Sequence, residues 1–172
     1  MSNPPAPRGL IAQLYATDFP AAQSIWVEAF LPLLIDLRRV FGNDLDKVII
    51  LSVIGQQMLR DPAMPALSHD DARTGSLPVW PWRTTNIDAL ARTTGIPRES
   101  VRRKVAELIA DNLVVRTDTG GLTIQAGASA RLASSTLVTI AMLDTVFEKY
   151  LTLLRTRGEL DFTQTTPPKP TA

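Results

Sequence analysis

The chain has no cysteine, one histidine among 172 residues, only ten aromatic side chains (five Phe, three Trp, two Tyr), and almost no net charge. Without Cys there are no disulfides, thiol nucleophiles or thiolate metal sites, which suits a reducing cytoplasm and excludes a secreted disulfide scaffold. The lone His69 stands beside Asp70 and Asp71. Adjacent side chains do not converge on one ion without further ligands, so no metal site is expected there. No Gly-rich phosphate loop, nucleophile elbow or catalytic triad can be assembled, and Gly120-Gly121 reads as a turn, so neither an enzyme nor a cofactor is expected. Long apolar runs are missing too. The longest, 48–54 and 29–35, are interrupted by Ser52 and Pro32 and fall far short of the roughly 20 residues that cross a bilayer. The start, MSNPPAPRGL, has no apolar core of a signal peptide. The expectation is a soluble cytoplasmic protein with no membrane partner. The balance of 18 Lys and Arg against 17 Asp and Glu, net +1, gives no global pull toward nucleic acid, so any such partner must be read from local charge.

What is present is enough apolar residue, 45%, to bury a core. Residues 1–17 start Pro-rich and are expected to be mobile, as is the tail 158–172. Between them, 18–60 reads as an N-terminal helical region. Asp18 is a candidate N-cap, and Ile25, Trp26, Phe30, Leu33, Leu34, Leu37 and Phe41 recur at helical spacing. Pro32 predicts a kink or two shorter helices there. Gly42 ends this stretch, and Asn43 or Asp44 caps a second helix carrying Val48, Leu51, Ile54 and Met58. Residues 61–84 form a long connection with four prolines and the pair Trp80 and Trp82, whose indoles argue that its end is docked on something.

Residues 85–125 carry the function. Thr85 or Asn86 starts a helix that stops near Gly95, Pro97 opens another to about Asn112, and 113–116 and 122–124 read as two short strands around a Gly-containing turn. A tight two-helix corner needs a small residue at the crossing, a residue tolerant of positive φ at the turn, and an aliphatic residue locking the second helix down. Ala91, Gly95 and Val101 supply these at separations of four and six, the helix-turn-helix pattern. The hairpin adds a wing. The expected fold is therefore mainly α with a small β-hairpin wing: a winged helix-turn-helix flanked by N- and C-terminal dimerisation helices, the latter spanning 126–157.

The segment GIPRESVRRKVAEL and the hairpin after it resemble the recognition helix and wing of winged helix-turn-helix transcription regulators, of the MarR-type and GntR-type bacterial repressors. The resemblance is strong over about forty residues and architectural elsewhere. It implies sequence-specific binding to double-stranded DNA. At 100° per residue, Val101, Val105, Leu108 and Ile109 form the buried stripe, with Glu99, Arg103 and Ala106 nearly opposite. A helix in a major groove would present Arg103, Glu99 and Ser100 to base edges and Arg102 and Lys104, at the two edges, to phosphates, with Arg98 serving either. Arg92 and Arg116 are phosphate or minor-groove candidates by resemblance to how wings are used. From Arg92 to Lys104 five cations face one carboxylate, Glu99, a local +4. The plainer alternative is a solvated helix face with Glu99 and Arg103 as an i,i+4 pair.

The C-terminal helix is apolar over more than one stripe, and Trp26, Phe30 and Leu34 give the first region the same excess. Packing of these helices in a two-fold homodimer would place two recognition helices about 34 Å apart on a roughly palindromic operator. The alternative is that they cover one another within one chain. The MarR resemblance also implies a small-molecule effector, aromatic or lipophilic, with Trp26, Phe30, Met58, Trp80 and Trp82 as the candidate pocket, or else these residues are simply core. A winged helix that binds protein as an adaptor is the second functional class, since fold alone does not separate the two.

Overall fold

The computed structural model describes residues 9–64, 66, 68, 70, 71, 74 and 83–158. Those residues are mainly helical, with one two-stranded antiparallel sheet. Helices α1 (Leu10–Thr17), α2 (Phe19–Val40) and α3 (Leu45–Leu59) come first, then α4 (Ile87–Thr94) and α5 (Arg98–Ala110). The strands β1 (Val114–Arg116) and β2 (Leu122–Ile124) follow, and then α6 (Ala128–Arg131) and α7 (Ala133–Thr156). No helix among the described residues is long and apolar enough to cross a membrane. The chain divides into two compact units, 35–137 and the remainder, the divisions falling within α2 and α7.

The unit 35–137 holds the larger core. Ile50, Leu51 and Ile54 of α3, Leu90 of α4, and Val101, Val105 and Leu108 of α5 meet Leu113, Val114 and Leu122 of the hairpin. Two of this unit's helices are capped by side chains. Gly42 and Asn43 both take positive φ, 63° and 66°, and Asp44 caps α3 by accepting from the Asp46 N–H at 3.1 Å. Asn86 caps α4 through the Ala89 N–H at 2.9 Å. In the sheet, Val115 pairs with Thr123 and Arg116 with Leu122. Thr85 exchanges two backbone hydrogen bonds with Leu122, at 2.8 and 3.1 Å, and so extends the sheet on the free side of β2. Gly121 is required here, because a Cβ at that position would stand 2.4 Å from Thr84 Oγ1 and 2.5 Å from Thr84 Cβ.

The other unit is built from α1 and the outer parts of α2 and α7. Its buried cluster is small: Leu14, Ala22, Ile25, Tyr150 and Leu154. Polar contacts finish the packing. Tyr150 donates its hydroxyl proton to the Ala22 carbonyl at 2.9 Å, Lys149 pairs with Glu28 at 2.7 Å, and Arg157 pairs with Asp18.

Three expectations change. Residues 10–17, assigned to a mobile start, form α1, because Leu14 docks fully buried beside Tyr150 and Leu154. Pro32 does not divide the helix, and α2 is continuous. The carbonyl it leaves without a partner belongs to Glu28, and both residues lie on the exposed face, where that group is open to solvent and the proline costs little. The stretch expected as one helix from 126 is interrupted at Leu132, between α6 and α7.

Candidate nucleic-acid interface

The corner between α4 and α5 is rigid for reasons visible in each residue. Gly95 adopts φ 72°, and its N–H closes α4 on the Ala91 carbonyl at 3.0 Å; a side chain there would meet the steric cost of left-handed backbone. The Thr94 hydroxyl donates to the Leu90 carbonyl at 2.8 Å and accepts from the Ile96 N–H at 3.2 Å, bracing the turn from inside. Ile96 is buried, and Pro97 stands at the start of α5 with its carbonyl accepting from the Val101 N–H.

With Val101, Val105 and Leu108 turned into the core, the opposite face of α5 is free within this unit. Arg102 and Arg103 have side chains 65% and 63% exposed. Arg98, Glu99 and Ala106 are exposed with them, Ser100 is half-buried, and Arg92 of α4 is exposed as well. On the hairpin Arg116 is exposed, but its guanidinium folds back to donate to the Gly120 carbonyl at 3.1 Å. The structure therefore leaves exposed, on one unit, every charged residue that the sequence offered for DNA contact, with one exception.

That exception is Lys104. Its side chain is only 8% exposed and its ammonium pairs with Asp44 and, at 3.4 Å, with Asp46, at the start of α3. It is withdrawn from any phosphate wall. The physical reason is its position three residues after Val101 and four before Leu108, which puts its stem on the shoulder of the buried stripe and points it at the acidic first turn of α3. Burial works against the Lys104 charge, but the hydrogen bonds to Asp44 and Asp46 overcome it, and its pKa lies above the ordinary lysine value. Burial likewise opposes the Asp44 charge, and Lys104 with the capping N–H groups brings its pKa below the ordinary range.

The outer face is also less cationic than the local count suggests. Arg98 pairs with Asp88. Arg102 holds Glu99 with two nitrogens, Nη2 at 2.6 Å and Nε at 3.0 Å. Arg103 pairs with Glu107 at 3.2 Å, not with Glu99 as the i,i+4 rule suggested, and Glu107 also receives Lys47 of α3 at 2.6 Å. These contacts hold the carboxyls ionised: hydrogen bonds from Arg98 and Arg102 depress Asp88 and Glu99, and the one from Lys47 depresses Glu107. Asp88 and Glu107 lie just outside 92–104, so a charge count over that window leaves out the two carboxylates that pair with Arg98 and Arg103.

Of the candidate ligand residues, Trp26 and Phe30 belong to the smaller unit and Met58 to the larger. Trp26 lines an apolar groove of about 840 Å³ formed by α1, α2 and α7 in the smaller unit. Phe30 stacks on Trp26 with ring centroids 4.9 Å apart and planes 11° from parallel. Met58 is buried on α3 of the other unit and is not among the described lining of that groove. Trp80 and Trp82 lie outside the described residues, as does His69. Among the described residues no cluster of His, Asp and Glu could hold a metal ion. Set against protein-family models, curated proteins and solved structures, the chain finds a match in none of the three.

Proposed function

We propose that the chain is a winged helix-turn-helix regulator that binds double-stranded DNA as a homodimer on a roughly palindromic operator. The observation that carries this reading is the uncovered outer face of α5, with Arg102, Arg103 and Glu99 projecting from a helix whose other side is locked into a rigid corner. Such a face enters a major groove with Arg103 and Glu99 toward base edges. The small Ala106 allows close approach. Arg102, Arg98 and Arg92 reach phosphates, and Arg116 does so from the wing. The carboxylate partners of Arg98 and Arg102 are exposed, and such pairs are weak enough in water to exchange for phosphate. Homodimerisation is supported by the small unit's five-residue core, against which Phe19, Val27, Leu31 and Ile140 remain exposed.

With Lys104 withdrawn, a protomer offers about four phosphate contacts and a dimer about eight, so log K should fall against log salt with a slope near −7. The test selects duplexes from a random pool with the full chain and measures binding from 50 to 200 mM salt. A palindromic sequence should emerge. Arg103→Ala should lose about tenfold or more in affinity and relax preference at one or two positions, while Arg102→Ala weakens all duplexes alike. A second reading, a protein-binding adaptor, is favoured by one observation: Arg98, Arg102 and Arg103 each already have a carboxylate partner. No duplex affinity at 50 mM salt, with a partner retained at high salt, would replace the first reading by the second.

A further inference from the structure

We propose that the groove of the smaller unit is a binding site for a lipophilic monocation, an apolar body carrying a quaternary ammonium group. Its volume of about 840 Å³ lies within the range of small-molecule sites, about 300 to 1,000 Å³. Four of the chain's ten aromatic rings, Tyr15, Trp26, Phe147 and Tyr150, line it together with aliphatic side chains. Shape and apolarity alone would admit any greasy molecule. The polar inventory decides the sign of its charge.

Tyr150 spends its hydroxyl proton on the Ala22 carbonyl at 2.9 Å. A carbonyl only accepts, so in the 3.2 Å contact between the two phenols Tyr15 is the donor and its proton is spent as well. Burial, and then the contact with Tyr15, push the Tyr150 pKa up, so that phenol stays neutral. Among the described lining residues this leaves the Trp26 indole N–H as a donor and, exposed to solvent, the Asp144 carboxylate as a charge. Among the described lining residues a carboxylate or phosphate ligand would meet no cation and a single donor while facing Asp144. A cation would meet Asp144 together with the electron-rich faces of the aromatic rings. The neighbouring charges of α7 do not cancel it: no cation among the described residues pairs with Asp144, Glu148 one turn on is acidic, and Lys149 is engaged by Glu28. A quaternary ammonium suits such a groove better than a primary amine, because it is weakly hydrated and its methyl groups bury well.

The proposal concerns α1, α2 and α7 and is read without DNA, so its failure is separable from failure of the duplex reading. Calorimetric titration of the full chain with octyltrimethylammonium, octyl sulfate and octanol, all as monomers, should give the cation the tightest binding, about tenfold over either of the others. Asp144→Asn should remove about five- to tenfold of the cation's affinity and leave octanol unchanged. In a chain carrying Trp80→Phe and Trp82→Phe, where Trp26 is the sole indole, the cation should perturb its emission. Equal binding of the three probes, or an Asp144→Asn titration identical to wild type, would overturn the assignment. So would absence of binding by a chain that sediments as a dimer, which would give the groove to a second copy.

Discussion

Lys104 separates what the fold needs from what a DNA-binding face would need. Replacing it by Met keeps most of the stem's apolar burial and removes only the charge. The change leaves Asp44 and Asp46 without the ammonium that bridges them. Breaking a fully buried ion pair typically costs about 3 to 5 kcal/mol. Here the carboxylates keep some water, with side chains 25% and 46% exposed, so they rehydrate in part and the expected loss is about 1 to 3 kcal/mol. For a urea dependence near 2 kcal/mol per molar, a 2 kcal/mol loss moves the unfolding midpoint down by about 1 M.

The pH dependence follows from the two shifts. Asp44 is depressed in the folded chain, so its contribution is present above the ordinary Asp value near 3.9 and is lost as pH falls through the folded value. Lys104 is raised, so its contribution is complete below about 10.4 and is lost as pH rises through the folded value. The gap between wild type and Lys104→Met should therefore be level from about pH 5 to pH 10 and close in acid. Urea unfolding of both proteins at pH 3 and pH 7 measures this. An unchanged midpoint at pH 7, with a salt slope of duplex binding shallower by about two for the dimer, would refute the reasoning and return Lys104 to the phosphates.

Two further changes probe the hairpin. Thr123 is buried on β2, and among the described residues its hydroxyl has no hydrogen-bond partner; Thr123→Val should raise stability by about 1 kcal/mol, seen as a higher urea midpoint, whereas a lower one would mean the hydroxyl is satisfied. Gly121→Ala should cost about 1 to 3 kcal/mol, because the added carbon meets Thr84 Cβ at 2.5 Å, which is anchored to the backbone and cannot swing aside. Adding Thr84→Gly should recover part of that loss, and a thermal unfolding curve for Gly121→Ala matching wild type would show that the close approach is not real.

The elements of 85–125 were legible in the sequence because their signals are local. Asn86, Gly95 and Pro97 mark boundaries through their own backbone chemistry, and Val101, Val105 and Leu108 declare the buried stripe by spacing alone. The residues that were misjudged depend on partners far along the chain. Lys104 looks like an edge cation until Asp44, sixty residues earlier, is placed beside it. Residues 10–17 look like the continuation of a Pro-rich start until Leu14 meets Tyr150. Pro32 was misjudged differently. The cost of an interior proline depends on whether the carbonyl it orphans is buried, and periodicity does not say which face holds it.

The burial of Lys104 also bears on the proposed DNA-binding reading, under which a single copy would be a poor binder. The sequence suggests five cations on and beside α5, but one is consumed in the fold and three hold carboxylates, which leaves an outer face of alternating signs rather than a positive stripe. Against a phosphate wall each arginine must first release its acidic partner, and the freed carboxylates of Glu99 and Glu107 then repel the same phosphates. The electrostatic gain per protomer is correspondingly small. Two linked protomers double the number of contacts in the exponent of the salt dependence and convert the second engagement into an intramolecular one. On the proposed DNA-binding reading, a weakly charged face on α5 makes the apolar surface left over on α2 and α7 a requirement: without a partner seated there, the contacts of one α5 would not hold a duplex at physiological salt.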